Sequence, residues 1–189
     1  MDTITDPTAA PANQGYPVIR PERIDGSDTG AIRALTAEAF AHADHATGSE
    51  AQIIDALRDA GALRYSLVAV HAGRIVGHAA ASPVTLDPSD DGWWYGIGPV
   101  SVHPDFQRQG TGSGLMRALL DLLIVYGATG AVLLGDPTLY ARFGFAAREG
   151  LVKADLPPEQ AASFQALRLD GRTGCPQATV TYHPAFDVD

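Results

Sequence analysis

Apolar residues recur along this chain with two periods, and the switches between them mark out its elements. Pro17-Val18-Ile19-Arg20 is a short extended run ended by Pro21 and the Gly26-Ser27-Asp28 cluster, which predicts a first strand and then a turn. Ala31, Ile32, Leu35, Ala39 and Phe40 follow at helical spacing, and Ser49-Glu50 opens a second such run through Ile53, Ile54 and Leu57 before Gly61. Two consecutive amphipathic helices are expected. Tyr65 to His71 then alternates as a strand, Ala72-Gly73-Arg74 supplies a turn, and Ile75 to Leu86 resumes, giving a hairpin.

Asp87 to Gly92 reads as a polar loop. Trp93 to Val102 is a strand rich in aromatic and branched residues, interrupted by Gly96, Gly98 and Pro99. Such interruptions predict a bulge or a close approach of a ligand to the backbone. Leu115, Leu119 and Leu122, flanked by Met116, Leu120 and Leu123, give a broad apolar helix face ending near Gly127. Ala128 to Leu134 fits a parallel strand covered on both faces, and Pro137 to Arg142 a short helix. Phe143-Gly144-Phe145, Phe164 to Leu169 and Ala178 to Tyr182 read as further strands. The fold class is α/β, a sandwich of mixed sheet and covering helices.

Composition narrows the function classes. The chain has 189 residues, which suits one domain. Residues 1 to about 16 are Ala-, Pro-, Thr- and Asp-rich without periodicity and read as a flexible leader, leaving 17–189 as the domain. Thirteen basic against twenty-two acidic residues give a formal charge of -9, which repels a nucleic-acid backbone and modestly favours cationic substrates such as amines. The N-terminus has neither a basic region nor an apolar run, and no stretch is long enough for a membrane helix, so a cytoplasmic protein is expected. Cys175 is the single cysteine, in a Gly/Pro context without a neighbouring histidine, and is read as a structural thiol. His42, Asp44 and His45 have a spacing that metal ligands use, but no further ligand cluster accompanies them and no metal is expected.

The chemistry concentrates in Gln107-Arg108-Gln109-Gly110-Thr111-Gly112-Ser113-Gly114, where the interrupted strand gives way to the long apolar helix. Helix starts carry partnerless N–H groups and partial positive charge, and glycines let an anion approach the main chain. A Gly-rich helix entry that merely needs unusual dihedrals is the bland alternative. The segment lacks Gly-Lys-Ser/Thr, which counts against a nucleotide P-loop, and lies too far into the chain for a dinucleotide fold.

Gln107, Gly110 and Gly112 resemble the phosphate-binding signature of the GNAT superfamily of N-acetyltransferases: Gln or Arg, two residues, Gly, one residue, then Gly or Ala. Gly98-Pro99-Val100-Ser101-Val102-His103-Pro104 is similar to the family's splayed strand. Leu134-Gly135-Asp136-Pro137, Tyr140, Arg142 and Phe143-Gly144-Phe145 resemble its second signature. With Arg74-Ile75-Val76-Gly77-His78 and Thr181 to Phe186, residues 17 to 186 look like the YhbS-like group within that family.

The resemblance implies the GNAT acyl-CoA N-acyltransferase fold, a mixed sheet with a splayed strand pair flanked by helices. It implies acetyl-CoA as cosubstrate and an amine acceptor, on a small molecule or a protein, that attacks the thioester directly without an acyl-enzyme. By the same resemblance Val100, Ser101 and Val102 bind the pantetheine arm, and Gln107, Arg108, Gln109, Gly110, Thr111, Gly112 and Ser113 surround the pyrophosphate. Asp136, Tyr140 and Phe143 complete the cofactor site. Tyr140 is the candidate general acid, since a phenol can protonate a leaving thiolate; the alternative is a packing residue. Glu50 is the candidate base on the acceptor side, although a glutamate at a helix start is also explained by the helix dipole. His78 and His103 are reserves. Trp93, Trp94 and Tyr95 either wall the acceptor or cover the core. A homodimer is the family expectation. A non-catalytic acyl-CoA sensor keeping only the cofactor cradle is the competing function.

Overall fold

The computed structural model describes residues 15–41, 48–90 and 92–188. Most of the expected leader and the His42, Asp44, His45 group lie outside these residues. The strands are β1 (Val18–Pro21), β2 (Tyr65–His71), β3 (Arg74–Asp87), β4 (Trp94–Val102), β5 (Gly130–Leu134), β6 (Leu151–Lys153), β7 (Phe164–Arg168) and β8 (Ala178–Thr181). The helices are α1 (Thr29–Phe40), α2 (Glu50–Asp59), α3 (Thr111–Val125) and α4 (Pro137–Tyr140), with 3-10 turns between some elements.

The sheet runs β1-β2-β3-β4-β5-β7, antiparallel throughout that path except between β4 and β5. Ala72 and Gly73 close the β2–β3 hairpin with φ of 47° and 80°, as a two-residue turn with right-handed strand twist demands. β3 is long enough to serve two partners. Gly77 to Val84 pairs with β4, while Thr85 to Asp87 pairs with β8, which in turn carries β6 in parallel.

Strand periodicity sends alternate residues to opposite faces, and each face receives its own helices. Leu67, Ala69, Ala79 and Ala81 meet Leu115, Leu119 and Leu123 of α3. Those leucines recur every four residues and are fully buried, so Leu119→Ala should cost about 2–5 kcal/mol. The alanines, with Gly77, let α3 lie close: a Cβ on Gly77 would come 2.8 Å from Leu115 Cδ1. On the other face Val68 and Ile75 meet Ile32 and Leu35 of α1 and Ile54 of α2.

Three expectations need correction. Phe143-Gly144-Phe145 is not a strand: Ala141–Phe143 is a 3-10 turn closed by Gly144 at φ 91°, and pairing resumes only as an Ala146 to Ala166 bridge. The alternation of aromatics there reflects Phe145 entering the core, not a ladder. Trp93 is exposed and precedes β4, whereas Trp94 and Tyr95 are buried in different clusters. Trp94 and Tyr95 thus take the core-covering alternative, and what is corrected is the placing of Trp93 in the strand. β5 is parallel only to β4, because β7 runs antiparallel on its other side, and its last residue, Leu134, is exposed. The short strand β6 had no legible pattern.

Candidate active site

The site begins where β4 and β5 part. They pair only through Trp94, Tyr95 and Gly96 with Gly130, Ala131 and Val132. Beyond Gly96 the β3–β4 register slips, so that Gly98 and Pro99 both stand opposite Ala80; Gly98 has φ 143°. This is the bulge expected from the glycines, and a bulge bends its strand. From Ile97 to Val102 β4 keeps β3 on one side and, among the described residues, has no strand opposite on the other, while β5 continues beside β7. The two strands thereby open a V whose β4 wall is a strand edge with no further strand added to it among the described residues.

The start of α3 stands at the mouth of that V. Arg108 (φ 57°) and Gly110 (φ 91°) both adopt left-handed backbone and turn the chain into the helix. The first helical bond runs from the Gly114 amide to the Gly110 carbonyl, so the amides of Thr111, Gly112 and Ser113 lie ahead of it. Gln107 Nε2 donates to the Val102 carbonyl at 3.0 Å and Gln109 Nε2 to the Asp105 carbonyl at 2.6 Å. These two side chains tie the loop to the end of β4 and to the turn after it. Gly112 passes close to β4, where an added Cβ would be 3.4 Å from Val102 Cγ2, whereas a Cβ on Gly110 would meet nothing within 4 Å. Thr111 Oγ1 is buried without a hydrogen-bond partner among the described residues. Open space at Gly110, three leading amides and an orphaned hydroxyl at one helix start fit an anionic group.

The opposite wall comes from the segment after β5. Asp136 caps α4, accepting from the Thr138 amide and hydroxyl, each at 2.8 Å. Tyr140 packs over Gly135 and edge-on to Phe145 at 6.3 Å between centroids. Burial, helped by the Asp136 charge, raises the phenol above its ordinary pKa, so it holds its proton at neutral pH. Tyr140 and Phe143 both pack on the core beneath α3.

Other candidates fall elsewhere. Ser101 turns to the α1 face, where its hydroxyl donates to Thr36 Oγ1 at 3.1 Å, and its main chain pairs with His78 of β3. Glu50 begins α2 and is buried, with Oε2 accepting from the Gly48 amide at 3.1 Å. His103 is buried with Nε2 3.2 Å from Glu38, and Nδ1 accepts from the Asp105 amide. That makes it a structural part of the β4 turn. Cys175 packs on the cluster formed by Trp94, Leu151, Phe164 and Val180, and burial raises its thiol, the opposite of an activated nucleophile.

Sequence reasoning missed the surroundings of His78. It is fully buried, pairs with Ser101 across β3–β4, and places Nε2 2.9 Å from Ser66 Oγ. Ser66 in turn donates to Glu22, whose other oxygen accepts from Arg58 at 2.9 Å. Since the serine hydrogen goes to the carboxylate, the imidazole carries its proton on Nε2 and leaves Nδ1 a bare acceptor, without a partner among the described residues. Ser82 Oγ and Tyr182 Oη are likewise buried and unpartnered, and the Tyr182 ring crowds Gly96 at the base of the V. Burial raises the Tyr182 phenol. A uniformly polar strand position gives no hint of such a layer; only residue pairs brought from separate strands do.

An α/β fold with one parallel strand pair that splays, and a glycine-rich helix start at the opening, defines an acyl-CoA transferase type of architecture. Residues 30–145 match the model of the Acetyltransferase (GNAT) family, and the chain belongs to that family. It is similar to the uncharacterized N-acetyltransferase YhbS of Escherichia coli (strain K12), with 36% identity over 148 residues that cover 74% of this chain and 84% of YhbS. The crystal structure of a GNAT family acetyltransferase from Brucella melitensis in complex with acetyl-CoA has 42% identity and a TM-score of 0.75, covering 90% of this chain and 97% of that one. The structure of Escherichia coli YhbS in complex with CoA has 32% identity and a TM-score of 0.77, covering 98% and 97%. Among the described residues no helix is long and apolar enough to cross a membrane, and no group of three or more potential ligand residues is placed to hold a metal.

Proposed function

We propose that this chain transfers an acetyl group from acetyl-CoA to a primary amine by direct attack, with no acyl-enzyme. The observation that carries this reading is the V between β4 and β5 with the Gly110 helix start at its mouth. In it, the amides of Thr111, Gly112 and Ser113 hold the pyrophosphate, Arg108 adds positive charge, and Gln107 and Gln109 keep the loop rigid. The edge of β4 from Val100 to Val102, where no strand is added among the described residues and Gln107 already holds the Val102 carbonyl, takes the pantetheine amides as an added strand would. The complexes of the Brucella and Escherichia coli relatives with acetyl-CoA and CoA support the same ligand here.

Within that frame Tyr140 is the acid. Its raised pKa keeps the phenol protonated, and it gives that proton to the departing thiolate sulfur. Asp136 and Phe143 hold the α4 segment that presents it. Glu50 acts from the α1/α2 face, taking the proton that the amine loses. The amine lone pair must be free before attack, and a carboxylate on this side meets that need. Cys175 takes no part.

Mixing the protein with acetyl-CoA in the absence of any amine and weighing it intact tests the direct route. The mass should stay unchanged, and Cys175→Ser should turn over as the parent does. An acetylated protein competent to pass its acetyl group to amine would overturn direct attack.

A further inference from the structure

Phe143 carries a guanidinium against its ring from each of two elements. Arg117 on α3 has Cζ 5.9 Å from the ring centroid, and Arg142 in the 3-10 turn after α4 stands at the same distance. Arg142 is further pinned by donating from Nε to the Leu139 carbonyl at 2.8 Å. Both arginines are exposed.

Neither has a carboxylate within ion-pair distance among the described residues, Asp121 one turn beyond Arg117 included. Of the other arginines, Arg20, Arg23, Arg33, Arg58, Arg74, Arg168 and Arg172 each reach an aspartate or glutamate, while Arg64, Arg108 and Arg148 stand singly without one among the described residues. In a chain with 22 acidic and 13 basic residues, two arginines gathered on one ring without a counter-charge are a local reversal of the protein's field. The ring face attracts each cation, but the cations repel one another until an anion joins them.

Position selects the anion. Arg117 lies six residues past Thr111, about 9 Å farther along α3 from the helix start at 1.5 Å per residue. Coenzyme A carries a pyrophosphate and a phosphomonoester on one ribose, so its two anionic centres are separated by about the width of that sugar. An anion at Gly110 to Ser113 thus leaves a second within reach of the arginines.

We propose that Arg117 and Arg142 clamp the 3′-phosphate of the nucleotide, with Phe143 holding the two guanidiniums apart. This rests on acetyl-CoA being the cosubstrate. Guanidinium forks match phosphate oxygens in pairs, and a phosphomonoester dianion is the strongest acceptor the ligand offers. The pair makes the enzyme select complete coenzyme A thioesters over those lacking the 3′-phosphate.

Calorimetric titration of the parent, Arg117→Ala, Arg142→Ala and the double variant with CoA and with 3′-dephospho-CoA tests this. The parent should bind CoA about tenfold or more tightly than 3′-dephospho-CoA, the size expected of charge-assisted contacts. Each single variant should narrow the ratio. The double variant should bind the two ligands equally, while affinity for 3′-dephospho-CoA stays the same in all four proteins. A parent without preference, or a double variant that retains it, overturns the clamp. A parent that binds neither ligand removes the cosubstrate reading itself, a different failure. Both side chains are exposed, and unchanged melting temperatures will show that the variants fold.

Discussion

Tyr140 lies against the backbone of Gly135, so closely that a Cβ added to the glycine would stand 2.5 Å from Tyr140 Cε2. The glycine ends the turn out of β5, so strand and catalytic candidate are in register only while that position lacks a side chain. Gly135→Ala must push the ring aside. A displacement of about 1 Å at a reacting group can cost on the order of 100-fold in rate. Turnover should therefore fall well over tenfold while CoA affinity, measured by titration, changes little. Equal activity in the variant would show that the placement of Tyr140 is not critical.

Gly110 poses the complementary case. Its φ of 91° strains any other residue, yet a Cβ there would meet nothing within 4 Å among the described residues. Gly110→Ala should lower stability by about 1–2 kcal/mol, roughly 2–8 °C in melting temperature for a chain of this size. The methyl would intrude on the pyrophosphate, so CoA affinity should drop by more than about tenfold. Loss of stability with full affinity would place the phosphates elsewhere.

Glu50 offers a clean separation between its two readings. Glu50→Gln keeps an oxygen for the Gly48 amide and removes the charge. If the carboxylate accepts the amine proton, kcat should fall by about 100-fold, the usual scale for a lost base, with the melting temperature nearly unchanged. A helix-start role alone would leave kcat intact and cost only a few tenths to about 1 kcal/mol of stability.

Acid should unfold the protein through two identifiable groups. Burial, with the Arg58 charge second, lowers the His78 pKa from 6.5 to about 3. Below pH 6.5 the unfolded chain binds a proton there that the folded chain refuses, so stability falls as pH drops from 6.5 towards 3, by up to about 1.4 kcal/mol per unit. Asp28, hydrogen-bonded by Arg20 at 2.6 and 2.9 Å, is lowered from 3.8 to about 2, and its contribution is lost on acidification across that range. Melting curves from pH 7 to 4 should show the parent losing stability more steeply than His78→Gln. Parallel curves would mean that His78 is not held neutral.

The parts of this site that could be read in the sequence are those built from one continuous segment. Gln107, Gly110 and Gly112 are such a case, because helix-start geometry is local, and so is Tyr140 six residues after Leu134. The interruptions at Gly96, Gly98 and Pro99 likewise announced the bulge. What escaped depends on distant segments meeting. Arg117 and Arg142 are 25 positions apart in the chain, and Glu22, Ser66 and His78 come from a loop and two strands. The Phe143-Gly144-Phe145 misreading has a local cause, since left-handed Gly144 breaks what would otherwise pass for strand alternation. β6 is three residues long and acquires its place only from β8.

Thiol release from acetyl-CoA across a panel of amines, amino acids and peptides, run with the parent and Tyr140→Phe side by side, decides whether Tyr140 serves acetyl transfer to an amine. Amine-dependent release by the parent is expected, with a loss of about 100-fold or more in kcat for the variant and equal CoA binding by both. Tight CoA binding by the parent with no release on any amine would contradict such transfer and leave an acyl-CoA sensor in its place.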